Sequence, residues 1–419
     1  MMPIVHPLLG DTLYSFTHSS GLPVMVWPME NASSVYALFA TRYGSVHNLL
    51  PTSDGGTEEV PAGIAHYLEH KLFESEEGDA FKRFAATGAS ANAYTSFDRT
   101  AYLFHATENI LPSLDILLDF VQHPYFTPET VQKEQGIIGQ EIRMGEDNPG
   151  RRVLFNLLRG LYHTHPVRID IAGTVESISH ITPELLYRCY EQYYNLHNMV
   201  LVVAGHITPA QVQEACDRLL KPAAPYTVAP PAFNEPDTVV EAFVEDTMPV
   251  AAPLFYLGFK EPAGDITPTA LAVARILPDL LVGKSSPLYT TLMEKGLINA
   301  SFGADYFSGP GYGVWLFGGE SVHPEQVAEA IEAEIRRLQT EGIDPEAFEA
   351  ARRGAYGRLI RYLDSPEDCA EVLLANLLDG VPPLSELDAL STLTAEELHR
   401  QLCARIRPDN RTLSVVRPM

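Results

Sequence analysis

Residues 66–70 read HYLEH: His66, Tyr67, Leu68, Glu69, His70. Histidines four apart stand one above the other on an α-helix, so both imidazoles can reach one metal ion from the same face. Glu69 precedes the second histidine, where its carboxylate can reach a water held by that metal. The H-x-x-E-H order inverts the H-E-x-x-H zinc helix and is itself a zinc-peptidase signature. On this string alone, a surface helix that carries two histidines by coincidence is the competing reading.

A catalytic zinc takes three protein ligands and keeps one position open for water, so a third ligand has to come from elsewhere. Residues 127–144, TPETVQKEQGIIGQEIRM, open on Thr127-Pro128-Glu129 and carry apolar Val131, Ile137, Ile138 and Ile142. That is the pattern of a helix with a strong N-terminal signal. Glu134 and Glu141 lie seven apart on it, two turns along one face. Glu141 as ligand with Glu134 behind it is one reading. Two solvated helix carboxylates is the other, and spacing leaves both open.

At 419 residues the chain is too long for one core and suits two domains. Residues 221–236, KPAAPYTVAPPAFNEP, hold five prolines and no helical periodicity. They read as an extended linker, placing domains at 1–220 and 239–419 around a connection at 221–238. In the first half, LYSFTHSSGLPVMVWP is a hairpin candidate turning at Ser19-Ser20-Gly21, and residues 34–43, SVYALFATRY, read as a further strand. After HYLEH come two strands, ASANAYTS and TAYLFHA, then a run of helices and the apolar strand MVLVVAG. Strands and helices mix without regular βαβ alternation, which favours an α+β fold.

The second half repeats the first. Thr182-Pro183-Glu184-Leu185 lies sixteen residues before Asn198, and Thr394-Ala395-Glu396-Glu397-Leu398 stands at the same distance before Asn410 and RTLSVV. Thr127-Pro128-Glu129 has its counterpart in Asp344-Pro345-Glu346. Shared spacing of this length indicates duplication of one module. The chemistry is not duplicated with it: twelve residues after Glu129 comes Glu141, and twelve after Glu346 comes Arg358. The segment LAVARILPDLL, which stands where a second zinc helix should, contains no histidine.

These features together resemble the pitrilysin/insulinase family of inverzincin metallopeptidases, and in length its mitochondrial-processing-peptidase-like bacterial members. Gly63 before the motif, Phe73-Glu74 after it, His165-Pro166, Gly173 and the Asn198-Met199 entry into a strand ending at Gly205 extend the likeness. Residues 88–95, GASANAYT, resemble the family's substrate-pairing edge strand. The likeness is close over residues 10–210 and looser beyond. It implies two homologous α/β-roll domains, each a mixed, mostly antiparallel sheet packed by helices, forming half of a clamshell. It also implies one zinc ion (Zn2+) per chain held by His66, His70 and Glu141, with Glu69 as general base and Glu134 as a supporting carboxylate. Phe73, Asn92 and Ala93 would then face substrate, Asn92 and Ala93 through backbone groups that add a peptide as an extra strand. Without the resemblance, Asn92 reads equally as an ordinary strand-edge residue. His105, His163 and His165 lack ligand spacing and read as surface or packing histidines.

One departure bears on function. Active members of the family resemble one another in a segment of the type L-R-E-K-R-G-L-A-Y, whose arginine and tyrosine reach substrate. Here LMEKGLINASF, residues 292–302, puts Met293 in the arginine's place and Asn299 or Ala300 in the tyrosine's, with one residue fewer. The resemblance therefore implies the zinc-bearing chain of a heterodimer whose homologous partner supplies the arginine–tyrosine pair; a homodimer is the other assembly. The expected function is a zinc endopeptidase acting on unfolded or extended peptides, and the alternative is a catalytically silent scaffold.

Composition agrees. No apolar run reaches the ~18 residues of a membrane span, and the first residues, MMPIVHPLLGDTLYSF, lack the basic region and apolar core of a signal peptide. A cytoplasmic location is expected. The four cysteines, Cys189, Cys216, Cys369 and Cys403, are scattered without C-x-x-C spacing and read as reduced thiols. A formal charge of −25 argues against nucleic acid and anionic membranes as partners and is compatible with basic peptides.

Overall fold

The computed structural model describes residues 1–419 except 8, 53, 54, 77, 230 and 263, so residue 230 of the expected linker lies outside the described residues. Contiguous apolar runs became central strands. Val35–Thr41 and Met199–Gly205 are buried at every position, as strands covered on both faces must be. They lie side by side, antiparallel, in a seven-stranded sheet ordered Met2–Val5, Thr12–Thr17, Pro23–Pro28, Met199–Gly205, Val35–Thr41, Thr100–Ala106, Ser90–Thr95. Met199–Gly205 also runs parallel to Pro23–Pro28, the second arm of the hairpin expected at Ser19-Ser20-Gly21. Ser90–Thr95 ends the sheet and pairs on one side, with Thr100–Ala106.

The second sheet has five strands in the order Phe243–Met248, Arg411–Pro418, Leu254–Lys260, Tyr312–Glu320, Gly303–Gly309. From its first strand onward it reproduces the first sheet's order and directions from Pro23–Pro28 onward: one parallel pair, then three antiparallel pairs. The repeated asparagines mark the same joint. Asn198 O accepts from Arg42 N, and Asn410 O accepts from Lys260 N, both at 3.1 Å. Sheet order and joints alike show the fold of one module twice.

Packing divides the chain into two compact units that are not contiguous halves. One comprises residues 1–142, 170–231 and 360–384, and the other 143–169, 232–359 and 385–419. Each therefore contains a helix drawn from the far side of the proline-rich stretch. Pro149–Leu161 packs on the second sheet, close enough that a Cβ on Gly258 would meet the Leu157 side chain at 2.8 Å. Pro366–Asp379 packs on the first sheet, where Glu371 accepts from the Tyr94 hydroxyl (2.9 Å) and the Leu377 carbonyl accepts from Arg42 (2.8 Å). Hydrophobic periodicity says that a helix has an apolar face, not which of two similar sheets will cover it.

Among the described residues, no helix is long and apolar enough to cross a membrane. All four cysteines are free thiols; Cys189, Cys216 and Cys369 are buried and Cys403 is exposed.

Candidate metal centre

HYLEH lies on the helix Ile64–Leu72, which buries Tyr67, Leu68 and Leu72. Its entry is fixed by two glycines. Gly63 (φ 93°) and Gly173 (φ 73°) are both left-handed. A Cβ on Gly63 would come 2.4 Å from Ala172 O, and one on Gly173 would come 2.3 Å from Ala62 O. The two backbones touch where side chains would hold them apart, and Ser177 Oγ donates to Ala62 O at 2.7 Å beside them. Both glycines are ones the sequence reading singled out, and close backbone approach is the physical reason for them.

The glutamate-bearing helix spans Pro128–Glu146 and buries Val131, Glu134, Ile138 and Ile142. The Tyr67 hydroxyl donates to the Val131 carbonyl and pins the two helices together. Ile137, expected among the apolar residues of this helix, is exposed and borders the cavity beside Glu69 and His70.

Across this junction donor atoms of His66, His70 and Glu141 lie within 4.8 Å of one another. Glu141 Oε2 is 3.8 Å from His66 Nε2 and 3.6 Å from His70 Nε2. Ligand bonds of ~2.1 Å in a tetrahedron put donors about 3.4 Å apart, so one zinc ion fits this set with little adjustment. Glu134 stands behind it: its buried carboxylate accepts from His70 Nδ1 at 2.9 Å. That bond fixes the tautomer that leaves Nε2 free to ligate. Burial disfavours a charged His70, but the Glu134 hydrogen bond and the surrounding carboxylates outweigh it and carry its pKa above the ordinary value.

Glu69 is buried on the same helix, and its Oε2 accepts from Thr95 Oγ1 at 2.6 Å. Burial raises its pKa, against the Thr95 hydrogen bond. Glu69 and His70 line a cavity of 350 Å³ that also takes in Phe73, Phe81, Asn92 and Ala93. Phe73 is largely buried, its ring stacked on Phe81 at 4.2 Å. Asn92 is exposed on the sheet-end strand, and its Oδ1 accepts from Ala93 N at 2.9 Å. The acidic residues Glu69, Glu74, Asp79 and Glu134 outnumber the basic His70 and Lys133 in the lining. His105 is exposed, while His165 is buried and bonded to the Pro310 carbonyl.

Thr95 escaped the sequence reading, although it closes the GASANAYT stretch. The available signal was period two: Thr95 follows Ala91 and Ala93 on one face of the strand. In the second unit, Arg358 stands where the module repeat places Glu141's counterpart. It forms an ion pair with Asp279 on the helix Pro268–Val282.

A profile described as insulinase (peptidase family M16) matches residues 55–175, and one described as the peptidase M16 inactive domain matches residues 180–355. The uncharacterized zinc protease YmfH of Bacillus subtilis is 40% identical over 430 residues, spanning 99% of each chain. The chain belongs to peptidase family M16. Its fold matches the crystal structure of an M16-like peptidase from Alicyclobacillus acidocaldarius with a TM-score of 0.94 at 38% identity, over 99% of this chain and 100% of that one. Pitrilysin gives a TM-score of 0.76 at 18% identity, over all of this chain and 46% of its own, a likeness of fold alone. All five residues at the centre of this M16 chain, His66, Glu69, His70, Glu134 and Glu141, fall within the insulinase match.

Proposed function

We propose that the chain is a zinc-dependent endopeptidase acting on unfolded or extended peptides, with His66, His70 and Glu141 as ligands. The observation that carries this is the convergence of those three donor groups beside a buried glutamate on the same helix. Zinc, when bound, supplies Lewis acidity, lowering the pKa of a water and polarising a carbonyl. Glu69 takes the proton of the attacking water and passes it to the leaving amine. Glu134 keeps His70 oriented by accepting from its Nδ1. An extended peptide pairs with the free edge of Ser90–Thr95 through the backbone of Asn92 and Ala93, and Phe73 borders the pocket beside it. The acidic side chains of the lining favour basic peptides, presequence-like segments among them.

A silent scaffold is the competing reading, and the intact base and ligand set argues against it. Zinc content and turnover decide between them. The purified chain should hold one zinc, Glu69→Gln should keep that zinc and lose hydrolysis, and His66→Ala or Glu141→Ala should lose the metal. A chain that binds no zinc would return the scaffold reading.

We further propose that the working enzyme has two different chains. Met293 is exposed, and Asn299 is tied to Glu320, its Nδ2 donating at 2.8 Å. The segment 292–302 contains no arginine or tyrosine. Losing one oxyanion donor costs ~10²–10³ in rate, so the lone chain should bind peptide and turn over slowly. A homodimer lacks the pair in both copies. Zinc-loaded protein is to be assayed on an unstructured basic peptide, with and without a homologous chain carrying L-R-x-K-x-G-x-x-Y. Fast cleavage by the lone chain would overturn the two-chain reading.

A further inference from the structure

Thr95 is the last residue of the sheet-end strand, and its hydroxyl is committed to Glu69. The neighbouring Thr100, fully buried, donates its one hydroxyl proton to Tyr43 O at 2.8 Å. Thr95 and Thr100 oxygens are 3.3 Å apart, whereas Thr95 Oγ1 and Glu69 Oε2 are 2.6 Å apart. A hydroxyl has one proton to give, and a carboxylate at short range takes it over a neutral oxygen farther away. Thr95 is in turn held by pairing, opposite Thr100 across the ladder, and its branched side chain has few χ1 choices. The hydroxyl is therefore a fixed clamp on one carboxylate oxygen, and the other is left to accept a proton.

We infer that Thr95 is the positioning residue of the general base. It holds Oε2 so that Oε1 addresses the attacking water, and it ties the base to the strand on which the peptide docks. Peptide register and base position are then set by one rigid element, since Asn92 and Ala93 lie two and three residues before Thr95. This rests on Glu69 being the base. Substrate does not touch Thr95 in this scheme, so its effect falls on turnover and not on affinity.

The test is a variant pair in the full-length protein: Thr95→Val, which keeps the shape and removes the hydroxyl, and Thr95→Ser, which restores it. Steady-state hydrolysis of an unstructured peptide, zinc stoichiometry and crystal structures of both variants are the readouts. Thr95→Val should lower kcat about 10–100-fold with KM and zinc content unchanged, and Thr95→Ser should recover most of the rate. In the Thr95→Val crystal the Glu69 carboxylate should leave its position while His66, His70 and Glu141 keep theirs, a readout independent of turnover. The clamp is overturned if Glu69 stays in place in that crystal, or if Thr95→Ser loses as much as Thr95→Val. Glu69→Gln is run alongside. If it retains turnover, the base assignment falls and the clamp with it; if it is dead while Thr95→Val is normal, the clamp alone falls.

Discussion

Removing the acceptor behind His70 should weaken zinc in a graded way that the geometry sets. Glu134 has a side chain 8% exposed, and its carboxylate takes the Nδ1 proton of His70 at 2.9 Å. Glu134→Gln keeps an acceptor but loses the charge. A hydrogen bond to a charged group contributes about 1.5–3 kcal/mol and a neutral one about 0.5–1.5, so the loss is about 1–1.5 kcal/mol. At 1.4 kcal/mol per decade this weakens zinc about 5–10-fold. Glu134→Ala leaves the Nδ1 proton without its acceptor and opens a void, so its loss belongs at the upper end of the ~10–100-fold range for such supporting groups. Competition of zinc against a chelator of known affinity, at fixed pH, gives both values, and far-ultraviolet circular dichroism checks the fold. Glu129→Gln, exposed on the same helix, serves as the control and should change nothing. Wild-type zinc affinity in Glu134→Ala would refute the argument, and so would Glu134→Gln proving weaker than Glu134→Ala, since the charge would then act on something other than His70.

Gly173→Ala, at φ 73° and with its Cβ 2.3 Å from Ala62 O, should destabilise the protein by at least about 2 kcal/mol in urea denaturation. It should also weaken zinc, because the helix entry moves; unchanged stability would mean that the contact at Ala62 is soft. Chelation should abolish hydrolysis while leaving the circular dichroism spectrum intact, and added zinc should restore activity; collapse of the fold on chelation would make the metal structural. The second unit carries an acid-sensitive joint. Glu235 accepts from the backbone of His163, Thr164 and His165 and from Lys260 Nζ at 2.6 Å. Burial opposes its charge, but these donors prevail and hold its pKa down at about 2. A depressed carboxylate pKa adds stability that is complete above the ordinary value of ~4.3 and is lost as pH falls toward 2, about 3 kcal/mol at most. Lys260, whose own pKa is lowered by burial, returns part of that. Melting temperatures from pH 7 to pH 3 should therefore show wild type and Glu235→Gln converging as the pH drops; a constant gap would remove Glu235 from the acid transition.

Part of the candidate metal centre was legible because its constraints are local. Four-residue spacing puts His66 and His70 on one face of a helix and seven-residue spacing puts Glu134 and Glu141 on one face of another, but spacing left the glutamates' roles open, and the family resemblance alone joined the two helices in one candidate site. Strands Val35–Thr41 and Met199–Gly205 were legible for a similar reason, since burial on both faces demands continuous apolar sequence. The destinations of Pro149–Leu161 and Pro366–Asp379 were not. Either sheet offers an apolar face, and the choice rests on details such as the missing Cβ at Gly258 and the Tyr94–Glu371 bond, which involve partners far apart in sequence. Thr95 was hidden in another way: a threonine at a strand end has an ordinary structural explanation, and only the proximity of Glu69 distinguishes it.

The two modules separate what carries the fold from what carries the chemistry. Both keep one parallel and three antiparallel strand pairs in the same order and an asparagine at the same joint, so those features belong to the fold. In the first, Glu141 draws within 4 Å of both His66 and His70, and three donor groups with two carboxylates nearby leave an excess of negative charge that a divalent cation would offset. In the second, Arg358 and Asp279 join the corresponding helices by a direct ion pair, which needs no metal to balance it. Glutamate in place of Arg358 would face Asp279 as a like charge with no histidines to share an ion, so that single substitution would not create a site there. The absence of histidines on one helix and the arginine on the other are consistent with each other, and together they leave no donor set for a cation at that position.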